Sequence, residues 1–264
     1  MSNIHQAFEK GKAFIGFVTG GDPSIEKTGD WVREMVRAGA DLVEIGIPFS
    51  DPIAEGPVIQ RANIRALQAG TTPAKLFTLV QTLRRTIETP LVFLTYLNPV
   101  FNYGYDAFFK ACQDTGVDGV IIPDLPFEEQ GEVRDVSSAY GVDLISLIAP
   151  TSEARIKAIV RTASGFLYLV SSLGVTGIRG EITTDLASMA ASVQAAAAEL
   201  RSAPLPTAVG FGIHTPAQAA AIARIADGVI VGSALVRLIE EHGAGAGPYI
   251  YGYVKQMKDA VRSR

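Results

Sequence analysis

The sequence predicts an α/β fold, a single parallel (β/α)8 barrel with an extra helix at its N-terminus, and three observations predict it. Eight short runs rich in Val, Ile and Leu alternate with longer stretches of helical period. The runs are nearly continuous in apolar residues, as strands must be when helices cover a parallel sheet. The length, 264 residues, lies close to the roughly 250 residues typical of one closed barrel. An open doubly wound sheet shares the alternation. Eight units in this length, with no dinucleotide-type GxGxxG after the first strand, favour closure.

In order, residues 2–10 add the helix in front. Strands are expected at 13–19 (AFIGFVT), 41–47 (DLVEIGI), 90–96 (PLVFLTY), 118–123 (DGVIIP), 142–149 (VDLISLIA), 165–171 (GFLYLVS), 206–212 (PTAVGFG) and 227–232 (DGVIVG). Helices are expected at 24–38, 57–87, 104–116, 127–140, 152–163, 184–201 and 215–225, with 233–242 and 247–262 after the last strand. Their starts obey capping chemistry. Ser24 follows Asp22 and Pro23, and Thr72 and Thr215 each precede a proline at a plausible first helical position. The alanine-rich segment 187–200 is a good helix former rather than a linker. The Pro- or Gly-rich spots at 203–206 and 243–248 are short connections, so no domain boundary is expected within 1–264.

Composition narrows the function. The chain is 48% hydrophobic and 19% charged, enough apolar material for one large core. A net charge of -4 without a basic stripe makes nucleic acid a poor partner. A phosphorylated small molecule stays possible, because backbone N–H groups can bind it locally. No uncharged apolar run reaches the roughly 18 residues of a membrane span, and the N-terminus shows no secretory signal, so a cytoplasmic location is expected. The one cysteine, Cys112, precludes an internal disulfide and sits in an apolar helical stretch as a buried thiol. His5, His214 and His242 show no metal-ligand spacing and read as surface residues, so no metal site is expected.

Two connections stand out for chemistry. The first follows the second strand. Glu44 lies among Leu42, Val43, Ile45 and Ile47, where an ionised carboxylate is costly unless paired. Either it meets a cation near the strand end, or it is a desolvated carboxyl of raised pKa that exchanges a proton near neutrality. Asp51 and Glu55 follow in a loop stiffened by prolines and glycines. Glu55 can swing over the barrel mouth to face Glu44. Two carboxyls in different environments can then divide the roles of donor and acceptor. As a solvated loop acid Glu55 would do neither.

The second constellation pairs VGFGIHTP (209–216) with GVIVGSAL (228–235), each a strand, a glycine turn and a helix start. Glycine admits close backbone approach, and a helix N-terminus favours an anion. The loops after strands seven and eight often hold phosphate in such barrels. Gly212, Gly232 and Ser233 are the expected donors. The loop 172–183 has the glycines of a lid that closes on substrate, and its Gly177 can complete the phosphate nest.

These residues resemble the alpha subunit family of tryptophan synthase. VEIGIPFSDPIAEGP (43–57) is similar to the family's signature, and the likeness continues through FVTGGDP (17–23), YLNPVFNYG (96–104), IIPDLP (121–126), YLVSSLGVTG (168–177), VGFGI (209–213) and VGSA (231–234). The resemblance implies a TIM barrel that cleaves indole-3-glycerol phosphate to indole and glyceraldehyde 3-phosphate by retro-aldol acid/base catalysis, in the last stage of tryptophan biosynthesis. It implies that Glu44 is the acid/base that protonates C3 of the indole. Glu55 stands where the family usually has an aspartate that engages the indole N–H, and it is one methylene longer. Thr176 matches the lid threonine that contacts this acid. Phe17, Leu94, Ile121, Tyr168 and Phe211 match the indole pocket, and Gly177, Gly212, Gly232 and Ser233 the phosphate cradle. The resemblance also implies an alpha2-beta2 complex with a tryptophan synthase beta subunit that carries pyridoxal phosphate, none being expected on this chain. Pro48, Asp51, Asn98, Phe101, Asn102 and Pro126 fall at the docking positions.

Three alternatives are kept. Another phosphate-binding barrel of the same pathway would share the glycine turns but not the pair Glu44 and Glu55. A weakly active or non-catalytic partner that activates a beta subunit is compatible with the longer acid at 55. A free-standing indole-releasing lyase needs no partner.

Overall fold

Alternation along each strand decides what faces the barrel's interior. The computed structural model describes residues 2–170, 184–210 and 212–262. Its eight strands are β1 (Ala13–Thr19), β2 (Leu42–Gly46), β3 (Leu91–Leu94), β4 (Gly119–Ile121), β5 (Asp143–Ile148), β6 (Leu167–Val170), β7 (Thr207–Gly210) and β8 (Gly228–Val231). They pair in parallel, in sequence order, and β8 closes on β1. Ala13, Ile15, Leu42, Val92, Ile121, Ile145, Tyr168, Ala208 and Ile230 form one buried interior cluster. The alternate positions, such as Phe14, Val18, Val43, Ile45, Leu91 and Phe93, belong to the larger core. A period of two therefore sorts every strand into an inner and an outer face.

The helical layer follows the sequence with three differences. The front helix α1 (Gln6–Glu9) is only four residues long, yet Ile4, Ala7 and Phe8 pack into the interior cluster beside Phe166 and plug the N-terminal end. After α2 (Ile25–Arg37), the stretch expected as one helix at 57–87 is two, α3 (Pro57–Gln68) and α4 (Pro73–Leu83). Gly70 takes φ +73° and breaks the first. Thr72 accepts a bond from Lys75 N and Pro73 occupies the first turn, restarting the second. An unexpected helix, α5 (Leu97–Tyr103), precedes α6 (Tyr105–Thr115), with Gly104 at φ +88° between them. The layer continues with α7 (Gly131–Ala139), α8 (Ile156–Thr162), α9 (Thr184–Leu200), α10 (Pro216–Ile222), α11 (Ser233–His242) and α12 (Gly247–Arg262). Thr215 and Gln218 build a reciprocal cap at the start of α10. Cys112 is buried in α6, and burial pushes its thiol up.

No described helix is long and apolar enough to cross a membrane. Among the described residues no group of three or more His, Cys, Asp or Glu is placed to hold a metal.

Candidate active site

The inner face of β2 carries Glu44 upward between Phe17 of β1 and Val92 of β3, its register partners. It is 1% exposed, and Oε1 has no hydrogen-bond partner. Among the described residues no cation approaches, and burial pushes its carboxyl up to about 8. At neutral pH it holds its proton. Burial also raises the Tyr168 phenol, and the charge of Glu44 adds to this.

Two glycines make room for the rings beside Glu44. A Cβ on Gly46 would stand 2.8 Å from Phe17 Cζ, and one on Gly210 would overlap the Tyr168 hydroxyl. Glycine at these strand ends is what lets both rings lie across the barrel mouth. They border a cavity open at the barrel mouth, with Glu44, Glu55, Leu94, Gly212, Gly232 and Ser233 also in its wall.

Glu55 closes the cavity from the loop between β2 and α3. It is 8% exposed and accepts a 2.6 Å bond from Asn63 Nδ2. Burial raises its carboxyl to about 7 against the opposing pull of hydrogen bonds from Asn63 and Tyr96. The Tyr96 hydroxyl also accepts from Ala54 N at 3.1 Å, and Gln60 Nε2 donates to Glu55 O at 2.8 Å, so the loop is tied at both edges. The two carboxyls face one cavity in different surroundings, one with an unpartnered oxygen among the described residues and one hydrogen bonded.

The opposite wall is backbone. Gly232 precedes α11, and Ser233 opens it. Gly212 takes φ +81°, and its carbonyl is 2.9 Å from His214 Nδ1. The first N–H groups of a helix lack partners within it and carry its positive end, so this wall suits an anion.

Most of the expected residues meet here: Glu44, Glu55, Phe17, Leu94, Tyr168, Gly212, Gly232 and Ser233. Ile121 does not border the cavity. It is fully buried in the interior cluster with Val92 and Ile145, and Pro123 takes its place in the wall. Thr176, Gly177 and Phe211, with the expected lid 172–183, lie outside the described residues. His214 is half-buried in the wall rather than on the surface, because the turn after β7 directs it inward. Of the expected docking positions, Asp51, Asn98, Phe101, Asn102 and Pro126 are exposed, while Pro48 is buried.

Tyr96, Asn63 and Ile59 were not singled out from sequence. Asn63 left a signal: it is polar, yet shares a buried stripe with Ile59, Ala62 and Ala66.

Residues 4–261 match the family model described as tryptophan synthase alpha chain. The chain is 52% identical to the tryptophan synthase alpha chain of Lactiplantibacillus plantarum, over 100% of this chain and 98% of that one. It superposes on a chain of the Mycobacterium tuberculosis tryptophan synthase structure with a TM-score of 0.89 at 33% identity, covering 100% and 99% of the two chains. A chain from the tryptophan synthase a2b2 complex of Pyrococcus furiosus gives 0.85 at 34% identity, over 94% of this chain and 99% of that one.

Proposed function

We infer the roles in this site from one premise: the chain belongs to the tryptophan synthase alpha chain family, carbon–carbon lyases that cleave indole-3-glycerol phosphate in tryptophan biosynthesis. Glu44, neutral at physiological pH, donates its proton to C3 of the indole ring. The ring becomes an indoleninium, an electron sink beside the bond to be broken. Glu55 accepts the hydrogen of the ring N–H and offsets the positive charge that develops there. The ionised Glu44 then takes the proton of the adjacent side-chain hydroxyl. The C3–carbon bond breaks, its electron pair restores the aromatic ring, and the aldehyde of glyceraldehyde 3-phosphate forms. Glu44 ends as it began, protonated.

The remaining residues position the substrate. Phe17, Leu94 and Tyr168 supply a flat apolar slot, with Phe211 the expected fourth wall and Ile121 supporting from the interior layer. Gly212, Gly232 and Ser233 hold the phosphate at the start of α11, with Gly177 completing the nest and Thr176 meeting Glu55 when the lid closes. The whole chain, 1–264, acts as one barrel unit in the cytoplasm.

The likeness to a chain of an a2b2 complex supports docking on a beta subunit. Asp51, Asn98, Phe101, Asn102 and Pro126 form the exposed docking rim, and Pro48 supports it from beneath. Pyridoxal phosphate is assigned to that partner. The observation that carries this reading is the pair of buried carboxyls, held in unlike surroundings, around one cavity with a helix N-terminus in its wall. An indole-release assay on the purified chain, with and without a beta subunit, tests it. Release that rises with the partner supports the reading. Full release by the chain alone favours the free-standing lyase, and none in either case the activator.

A further inference from the structure

Behind the Glu55 wall of the cavity lies a polar group that proton transfer does not use. Asn63 is 4% exposed, and its amide ends 2.6 Å from Glu55 Oε2. An ionised carboxylate only accepts, so the Asn63 nitrogen must be the atom turned toward it. The helix that carries Asn63 is fixed independently of the loop. Arg65, also on α3, donates to both oxygens of the buried Asp22 at 2.8 and 2.7 Å. Arg65 and Arg61 both reach Glu240 on α11, at 3.0 and 2.7 Å. The amide is thus held by the scaffold while Glu55 hangs from a loop.

We propose that Asn63 is a positioning residue, which pins the Glu55 carboxyl at the cavity wall and favours its ionised, proton-accepting form. The inference rests on the role given to Glu55 above. Among the described residues, the other titratable groups facing this carboxyl are Tyr96 from β3's end, with Asp124 behind it, and Glu44, Tyr168 and His214 around the cavity. None of them is a fixed cation. Hydrogen bonds, chiefly that of Asn63, are what oppose the cost of burying the charge.

The test is the pH profile of kcat/KM for Asn63→Leu, which keeps size and removes the donor. A bond to an ionised group is strong enough that its loss should move the acid limb up by about one pH unit. The maximum falls as well, because the limb set by Glu44 stays in place. Asn63→Asp is close in shape and covers the case in which the leucine variant does not fold. It sets two carboxyls against each other, so the acid limb should rise by at least as much. In a Glu55→Gln background, Asn63→Leu should cost no further activity. An acid limb that stays in place in both single variants, with activity merely reduced, would overturn the inference while leaving Glu55 its role. Normal activity of Glu55→Gln alone would instead remove that role, and the two failures are distinguishable.

Discussion

The two ends of the barrel use the same residue type in opposite ways. At the N-terminal end, Asp41, Asp118 and Asp227 stand just before β2, β4 and β8, and each meets a cation and a backbone N–H. Asp118 accepts from Arg84, Leu91 N and Asn3 N. Asp41 accepts from Lys258 and Phe14 N, and Asp227 from Lys12 and Thr207 N. At the C-terminal end, among the described residues, Glu44 has no cation and Glu55 has neutral partners only. A carboxyl paired with a cation ties neighbouring elements of the scaffold together. Without one, burial raises the carboxyl toward neutrality, where it can exchange a proton. Among these five carboxyls, the three with cations serve the scaffold and the two without face the cavity.

The largest effects should come from breaking one acid at each end. Glu44→Gln is expected to lower kcat roughly 10²–10⁴-fold, the range for lost acid–base catalysis. Its stability should move the other way. The folded chain holds the Glu44 proton up to about 8, against an ordinary 4.5. Between those values the unfolded chain has lost a proton that the folded chain keeps, so wild-type stability falls as pH rises. Glutamine removes that penalty, and denaturant titrations should show a stability gain that grows with pH and levels off above about 8. Asp118→Ala should do the reverse, costing about 3–5 kcal/mol by stranding Arg84, with kcat of the folded fraction retained. Melting curves and single-turnover rates on both variants check the contrast.

Much of this contrast is legible in sequence. Glu44 shows itself as a charge inside an apolar run, and the eight strands follow from composition and spacing. Three things were not. The helix α5 begins at Leu97, and its N-cap, Tyr96, makes no side-chain capping bond, so no capping residue marks its start. The break between α3 and α4 spans only residues 69–72, so a reading by helical period runs across it although Gly70 and the Thr72–Pro73 start mark it. Asn63 shows only as a polar residue in an apolar stripe, which does not name its partner Glu55, and His214 takes its place from the turn after β7.

Smaller effects sharpen the comparison. With Glu55 needed ionised and Glu44 needed protonated, kcat/KM should rise through about 7 and fall through about 8, a narrow bell. A broad plateau from pH 5 to 9 would deny the unpaired environments. The smallest effect is expected at the half-exposed N-terminal pair of Lys12 and Asp227. Lys12→Ala should change stability by no more than about 1 kcal/mol and leave activity untouched.

Carbon-13 NMR titration of the side-chain carboxyl of residue 44, assigned by its disappearance in Glu44→Gln, reads the protonation state itself. The titration should show a midpoint near 8, with the proton still bound at pH 7. A midpoint in the ordinary carboxylate range would mean that Glu44 is ionised at rest and has no proton to give.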